Sequence, residues 1–350
     1  MSLRWCKKAS PAASAAPSQV REKQVSTSLE TWMLADVGGT NTRVACWREG
    51  SGHRDLVALV QYPNSAFGSL CELLLRYMSD SASPRPTRAA LAVAAPIRGT
   101  AVKMMNINWA FEPSALSTDL GLESTHVIND FHAQAFALHV LSENDRLIVG
   151  GGEALPGKAM AVLGPGTGLG VAGLTPKDHG YAVVTGEGGH ATLAAANDFE
   201  AEIIAKIRTR IGHCSAERVL SGDGLTLLHD ILHHEARIDA AELSRRANSG
   251  DADATKTFSV FFNFLGTVAG DLTLTLGALG GTYIAGGIVL ANTDLFLRSG
   301  FRDRFIDKGR YRDYLNKIPT WLIKTDVPAL YGLTVYASEL AGAAGKRTGR

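Results

Sequence analysis

Two glycine turns carry the first hint of chemistry in this sequence. Asp36-Val37-Gly38-Gly39-Thr40-Asn41-Thr42 lies between two apolar runs that read as strands, and Gly164-Pro165-Gly166-Thr167-Gly168-Leu169-Gly170 lies between two more. A polyphosphate approaches backbone N–H groups closely only where side chains are absent, as at Gly38 and Gly39 in the first turn and Gly166 and Gly168 in the second. Thr40 and Thr167 add neutral donors, and Asp36 is a candidate to hold a hydrated Mg²⁺ through water. Either turn alone is also compatible with a plain hairpin. A pair in equivalent positions can grip one phosphate chain from opposite walls of a cleft.

The second turn is not a dinucleotide fingerprint, because its glycines alternate and a strand follows where a helix would be required. Gly152-Glu153-Ala154-Leu155-Pro156-Gly157-Lys158-Ala159 imitates a Walker A loop, but Ala159 stands where the metal-binding hydroxyl belongs and a strand again follows. A third corner, Ala285-Gly286-Gly287-Ile288, leaves a strand just before a helix expected from Asn292-Thr293-Asp294. There the face of adenine and its ribose can lie against bare backbone at Gly286 and Gly287.

Carboxylates supply the rest. Ile128-Asn129-Asp130-Phe131 places Asp130 between a buried strand and a helix, where it can take a proton from a hydroxyl that attacks phosphorus, within roughly 2.6–3.2 Å. Asp130 as a simple helix cap is the alternative. Asn129 can bond a neighbouring hydroxyl. In Gly186-Glu187-Gly188-Gly189-His190, Glu187 and His190 are three apart in a flexible turn and can reach one face of a polyol. Glu217 is a further acceptor, or else a solvated helix residue paired with Arg218. His229, His233 and His234 share a helical spacing without an HExxH pattern, which reads as a solvated face and not a metal site.

Periodicity suggests that the elements positioning these groups are written twice. Strands are expected over 32–37, 42–47 and 55–62, then a helix over 65–79, strands over 89–95 and 125–128, and a helix from 131 to about 141. The second copy runs through strands over 159–163, 169–174 and 180–184, a helix over 197–210 capped by Asn197, a long apolar helix over 254–275 and a strand over 282–285. Three strands joined by tight turns, then helix and strand, repeated, imply two α/β domains facing a cleft. The expected division is 31–140 plus 331–350 as a small domain and 141–330 as a large one.

The chain has 350 residues, 45% apolar and 20% charged, with a formal net charge of +1, which offers no electrostatic case for nucleic acid or an acidic membrane. Cys6, Cys46, Cys71 and Cys214 are scattered, as expected of free thiols in a reducing compartment. Residues 1–30 are rich in Ala, Ser and basic residues without an apolar core. They read as a disordered leader, with a transit peptide as the alternative, and are left out of the fold. The uncharged stretch 272–292 is long enough to span a bilayer but is broken by five glycines, so a helix end, a turn and a core strand are expected.

Taken in order, LADVGGTNTRVA, INDFHAQA, LGPGTGLGVA, GEGGH, GHCSAERVLSG and AGGIV resemble the segments of the bacterial-type glucokinases, in the zinc-free branch of the hexokinase and actin-like ATPase superfamily. The resemblance runs from about Met33 to the last twenty residues. It implies a duplicated actin-like (ribonuclease H-like) fold and transfer of the γ-phosphoryl of ATP, with Mg²⁺, to the 6-hydroxyl of glucose. Asp130 would be the base, with Asn129, Glu187, His190 and Glu217 on the sugar. Asp36, Gly38, Gly39 and Thr40 would face Gly166, Thr167 and Gly168 across the triphosphate, with Gly286 and Gly287 beside adenosine. It further implies a cytoplasmic homodimer, with organellar import through the leader left open. A kinase for fructose, mannose or an N-acetylhexosamine is the nearest rival. A sugar-sensing regulator, or an ATPase unrelated to sugars, is more distant.

Overall fold

The computed structural model describes residues 30–348 except 82–84, 98, 179, 236 and 237, with side chains as far as 343. The expected leader therefore lies almost wholly outside the described residues. In the first half of the chain come β1 (Thr31–Val37), β2 (Asn41–Arg48), β3 (Val57–Pro63), α1 (Leu70–Asp80), β4 (Arg88–Val93), β5 (Val102–Lys103), β6 (Ala110–Phe111), α2 (Pro113–Leu120), β7 (Ser124–Asn129) and α3 (Asp130–Ala137). The second half contains β8 (Arg146–Gly150), β9 (Met160–Pro165), β10 (Leu169–Pro176), β11 (Tyr181–Thr185), α4 (Asp198–Ile211), α5 (Gly222–His233), α6 (Ala240–Asn248) and α7 (Ala252–Leu276). It ends with β12 (Thr282–Ile284), α8 (Gly287–Ala291), α9 (Thr293–Leu297), α10 (Phe301–Ile306), α11 (Arg312–Asn316), β13 (Thr320–Ile323) and α12 (Pro328–Thr348).

The repeat expected from the sequence is present as topology. One sheet has the order β3-β2-β1-β4-β7 and the other β11-β10-β9-β12-β13-β8. In each, the first three strands pair antiparallel and the next two add parallel to the first. This is the duplicated actin-like plan, with β8 as an antiparallel addition at the second sheet's edge.

The apolar run at 32–37 is continuous because both faces of β1 are covered. Trp32 and Leu34 point to α3 and α12, whereas Met33, Ala35 and Val37 point to the core under α1 and α2. The first of these cores spans both sheets, joining Trp32 and Leu34 through Ala133, Phe136, Leu330 and Leu333 to Val162 and Tyr283. A third core surrounds α7, whose Phe258, Phe261, Phe262, Phe264 and Leu265 are all buried. That helix is long and apolar enough to cross a membrane by length and composition, and here it is the core helix of the second half. The stretch 272–292 divides, as expected, into the end of α7, a turn, β12 and α8.

Several boundaries differ from expectation for local reasons. The helix expected from 65 begins at Leu70, because Ser69 caps it by accepting from the Glu72 N–H, and Asn64–Ala66 forms a separate 3₁₀ turn. α3 ends at Ala137, short of 141. His229 does not lie on a solvated face: it is 1% exposed, bonded to Thr257 Oγ1 at 2.9 Å and Glu235 Oε2 at 3.0 Å, because α5 turns that side toward α7. β13 and α12 escaped the sequence reading, the first for its four-residue length and the second because its Ala- and Gly-rich surface meets neighbours on more than one side and writes no single apolar stripe.

α12 crosses α3 at very short range, and Gly332 makes that approach possible. A Cβ on Gly332 would sit 1.7 Å from the Ala133 carbonyl oxygen. Gly332→Ala should therefore force the helices apart and destabilise the chain by about 2–3 kcal/mol. Urea unfolding measures this, and an unchanged midpoint would show that the crossing tolerates a methyl group.

Candidate active site

The carboxyl ends of β1, β4 and β7 lie side by side, with Val37, Val93 and Asn129 in register. This brings Asp36 and Asn129-Asp130 to one edge of the first sheet, where parallel strands present their C-termini to a crevice. Asn129, not Asp130, caps α3. Its Oδ1 accepts from the Phe131 and His132 N–H groups at 2.9 and 3.3 Å, and its Nδ2 donates to the Ala95 carbonyl at 3.5 Å. Asp130 is thereby free of the capping duty that was the alternative reading; its carboxyl accepts the Phe131 N–H at 3.0 Å and is also hydrogen-bonded by the Asn129 side chain.

A cavity of about 430 Å³ opens between the two sheets. Asn129, Asp130, Phe131 and Ile97 line it from one side, and Leu169, Gly170, Gly186 and Glu187 from the other. Phe131 is seated on Gly170, where a Cβ would come within 1.9 Å of its ring, so α3 and β10 fix Asp130 between them. A larger hollow of about 710 Å³ beside β3, lined by Arg48, Tyr62 and Tyr77, gathers none of the candidate residues.

Burial, and then the nearby charge of Asp36, push the Asp130 carboxyl up from 3.8 to about 7, against the hydrogen bonds that favour its ionised form. Asp36 is raised to about 6 by burial, offset in part by Arg43, its cross-strand neighbour at 3.7 Å. Two carboxylates that ionise with difficulty thus face one crevice, an arrangement suited to proton transfer near neutral pH.

The sequence reading left Glu187 and His190 in a flexible turn. They are instead joined by the 3₁₀ turn Gly188–His190, in which residues three apart stack on the same side. His190 Nδ1 lies 3.8 Å from Glu217 Oε1. Glu217 is not a solvated partner of Arg218: its Oε2 accepts the Leu169 N–H at 2.9 Å, from the strand that lines the cavity. The same oxygen fills the space beside Gly168, where a Cβ would come within 2.4 Å of it. Gly168 therefore makes room for the acidic side chain.

Gly166 and Thr167 line a separate hollow of about 510 Å³ on the second half's side, with Gly222, Asp223, Thr226, Ile238, Asp239, Ala240 and Ile288. Gly286 packs against Pro165 with φ of 99°, and Gly287 opens α8, so this corner supports the hollow through Ile288. Across the crevice, Asn64 holds the first turn. It is 1% exposed, donates to the Gly38 carbonyl at 2.8 Å, accepts from Thr42 Oγ1 at 2.8 Å, and its N–H donates to the Thr40 carbonyl at 2.8 Å. Neither Asn64 nor the α5–α6 residues were found from sequence. A lone buried Asn carries no motif, and the second hollow is assembled from several segments scattered between Gly166 and Ile288.

Because the folded chain holds Asp130 above its ordinary value, the protonated carboxyl is favoured by folding. Its stabilising contribution is complete below 3.8 and is lost as pH rises to about 7. Asp130→Asn escapes that loss, so its melting temperature should exceed that of the unchanged protein by a few degrees at about pH 8 and match it at about pH 4. Calorimetry at both pH values checks this, and equal differences at both would contradict the burial argument.

The comparison with known proteins agrees with this geometry. The profile of the family described as Glucokinase matches residues 33–340. The glucokinase of Nitrobacter hamburgensis is 44% identical over 310 residues, covering 86% of this chain and 95% of that protein. The bifunctional protein glk of Burkholderia pseudomallei is 40% identical over 88% of this chain but only 48% of its own length, so the chain spans about half of such relatives. The crystal structure of glucokinase from an Antarctic psychrotroph superposes with a TM-score of 0.79 at 34% identity, covering 88% of this chain and 98% of that one. On its sequence, its duplicated topology and the residues gathered at its crevice, this chain belongs to the glucokinase family.

Proposed function

We propose that the chain transfers the γ-phosphoryl group of ATP to the 6-hydroxyl of glucose, giving glucose 6-phosphate and ADP. The observation that carries this reading is Asp130, a carboxyl held near neutrality at the crevice floor and relieved of capping by Asn129. The sugar occupies the cavity between α3 and β10. Asn129, Glu187, His190 and Glu217 bond its hydroxyls, and the 6-hydroxyl points to Asp130. Triphosphate lies between the two turns, with Gly38, Gly39 and Thr40 on one side and Gly166 and Thr167 on the other. The hollow bounded by Ile238, Ala240 and Ile288 receives the nucleoside, near Gly286 and Gly287.

In the transfer, the hydroxyl oxygen bonds to the γ-phosphorus while the bond to the β,γ-bridging oxygen breaks, and that electron pair leaves on ADP. Asp130 takes the hydroxyl proton as the new bond forms. Backbone N–H groups of both turns stabilise charge on the equatorial oxygens. Asp36 fits Mg²⁺: it is a desolvated carboxylate raised to about 6, with Arg43 at 3.7 Å as its counter-charge, and so gains from a divalent cation. Asp36 would hold such an ion, which would supply charge neutralisation on the donor's phosphates. Closure of the part formed by 31–140 and 331–350 on the part formed by 141–330 excludes water that would otherwise consume ATP. The described cysteines, Cys46, Cys71 and Cys214, are free thiols, which supports a reducing, cytoplasmic setting.

Asp130→Asn should bind glucose with near-normal affinity while kcat falls at least about 10²-fold. In the unchanged enzyme, kcat/KM should fall about tenfold per pH unit below the carboxyl's value of about 7. A coupled ADP-release assay measures both, and near-normal turnover by the variant would remove Asp130 as the base.

Gly168→Ala should push Glu217 off the Leu169 N–H and raise the KM for glucose about tenfold or more, with a smaller effect on the KM for ATP. Steady-state kinetics with each substrate varied separates the two. A defect confined to ATP would instead make Gly168 a phosphate residue.

A further inference from the structure

β5 and β6 form a small hairpin that stands apart from both large sheets. Its shoulders are sunk in the core of the first half, with Val102 at 2%, Met104 at 3% and Trp109 at 4% exposure. The Met104 N–H donates to the Trp109 carbonyl at 2.9 Å, and the Trp109 N–H to the Ile107 carbonyl at 2.8 Å. Ile107 also packs against that core. The tip therefore has little freedom, although Met105 and Asn106 are exposed.

That tip lies on the first phosphate turn. The three atoms nearest to where a Gly39 Cβ would stand all belong to Asn106: its Cβ at 3.2 Å, Nδ2 at 3.6 Å and Cγ at 3.8 Å. Among the described residues, no hydrogen bond engages the Asn106 side-chain amide. An unengaged pair of N–H donors is thus carried on anchored backbone to the bare glycine of a turn built for an anion.

We propose that Asn106 is a further residue acting on the transferred phosphoryl group, its side-chain N–H donating to one of the equatorial oxygens. This rests on the reading of Gly38–Gly39 as a turn for the donor's phosphates. An amide suits the place because the crevice already contains two carboxylates, and a cation there is drawn into an ion pair, as Arg43 is by Asp36 at 3.7 Å. A neutral donor is not captured in that way and stays available to the phosphoryl group. Its hydrogen bond strengthens as charge builds on the oxygens, so it acts on the rate more than on sugar affinity.

The test is Asn106→Ala, an exposed position where truncation spares the core. The expected result is a kcat lowered about 10- to 100-fold, with the KM for glucose within about threefold and an unchanged melting temperature. Calorimetric titration adds a readout that packing alone would not move. ADP should bind the variant as it binds the unchanged protein, whereas a nonhydrolysable ATP analogue, which retains the third phosphate, should bind about fivefold or more weakly. A kcat within about threefold of the unchanged protein, or equal weakening of ADP and the analogue, would overturn the proposal, the latter outcome assigning Asn106 to support of the turn. If Asp130→Asn abolishes turnover while Asn106→Ala leaves it intact, this inference alone fails. Turnover surviving in Asp130→Asn would instead overturn the reading of the site.

Discussion

The seating of α3 between the two sheets is the constraint on which the rest of the molecule depends. One end of this eight-residue helix is fixed by Asn129, its flank by Gly332 of α12, and its Phe131 ring by Gly170 of β10. These contacts leave no room for a methyl group at either glycine, so the helix has one position. Asp130 is its first residue, and the same packing that fixes its direction takes water away from it. Geometry and proton affinity thus have one physical cause.

That cause carries an energetic cost. Asp36 and Asp130 each ionise less readily than a carboxyl in water, and the charge of Asp36 makes the crevice less hospitable to that of Asp130. Arg43 relieves Asp36 in part, while Asp130 has no cation among the causes of its shift. A fold selected for stability alone would place a neutral residue at the start of α3. Retaining a carboxyl there makes sense where a proton must be taken up close to neutral pH and where bound cations and hydroxyls complete the site.

The second half of the crevice is organised around another carboxylate. Glu217 receives the N–H of Leu169, occupies the space left by Gly168 and stands beside His190. Glu187 directly precedes the 3₁₀ turn that carries His190, so these two candidate residues share one short piece of structure. A group that engages Glu217 consequently bears on the second glycine turn.

The sequence by itself determined the repeated strand plan, because alternating or continuous apolar runs ended by glycine are local signals that burial on one or both sheet faces writes directly. It also determined the chemistry-bearing types, since Asp130, Glu187, His190 and the glycine turns stand in compact motifs. Other features depended on contacts between distant segments and left no local pattern: the true cap of α3, the strut at Asn64, the duty of Gly168 toward Glu217, and the hollow assembled from α5, α6 and α8. Gly168 shows the reason most clearly. A glycine in a glycine-rich turn reads as backbone access for a ligand, and only a side chain 49 positions later, brought close by the fold, reveals that its missing Cβ is needed for a carboxylate. Residue types and their spacing are written along the chain, but which atoms compete for the same space is decided only when the chain has folded.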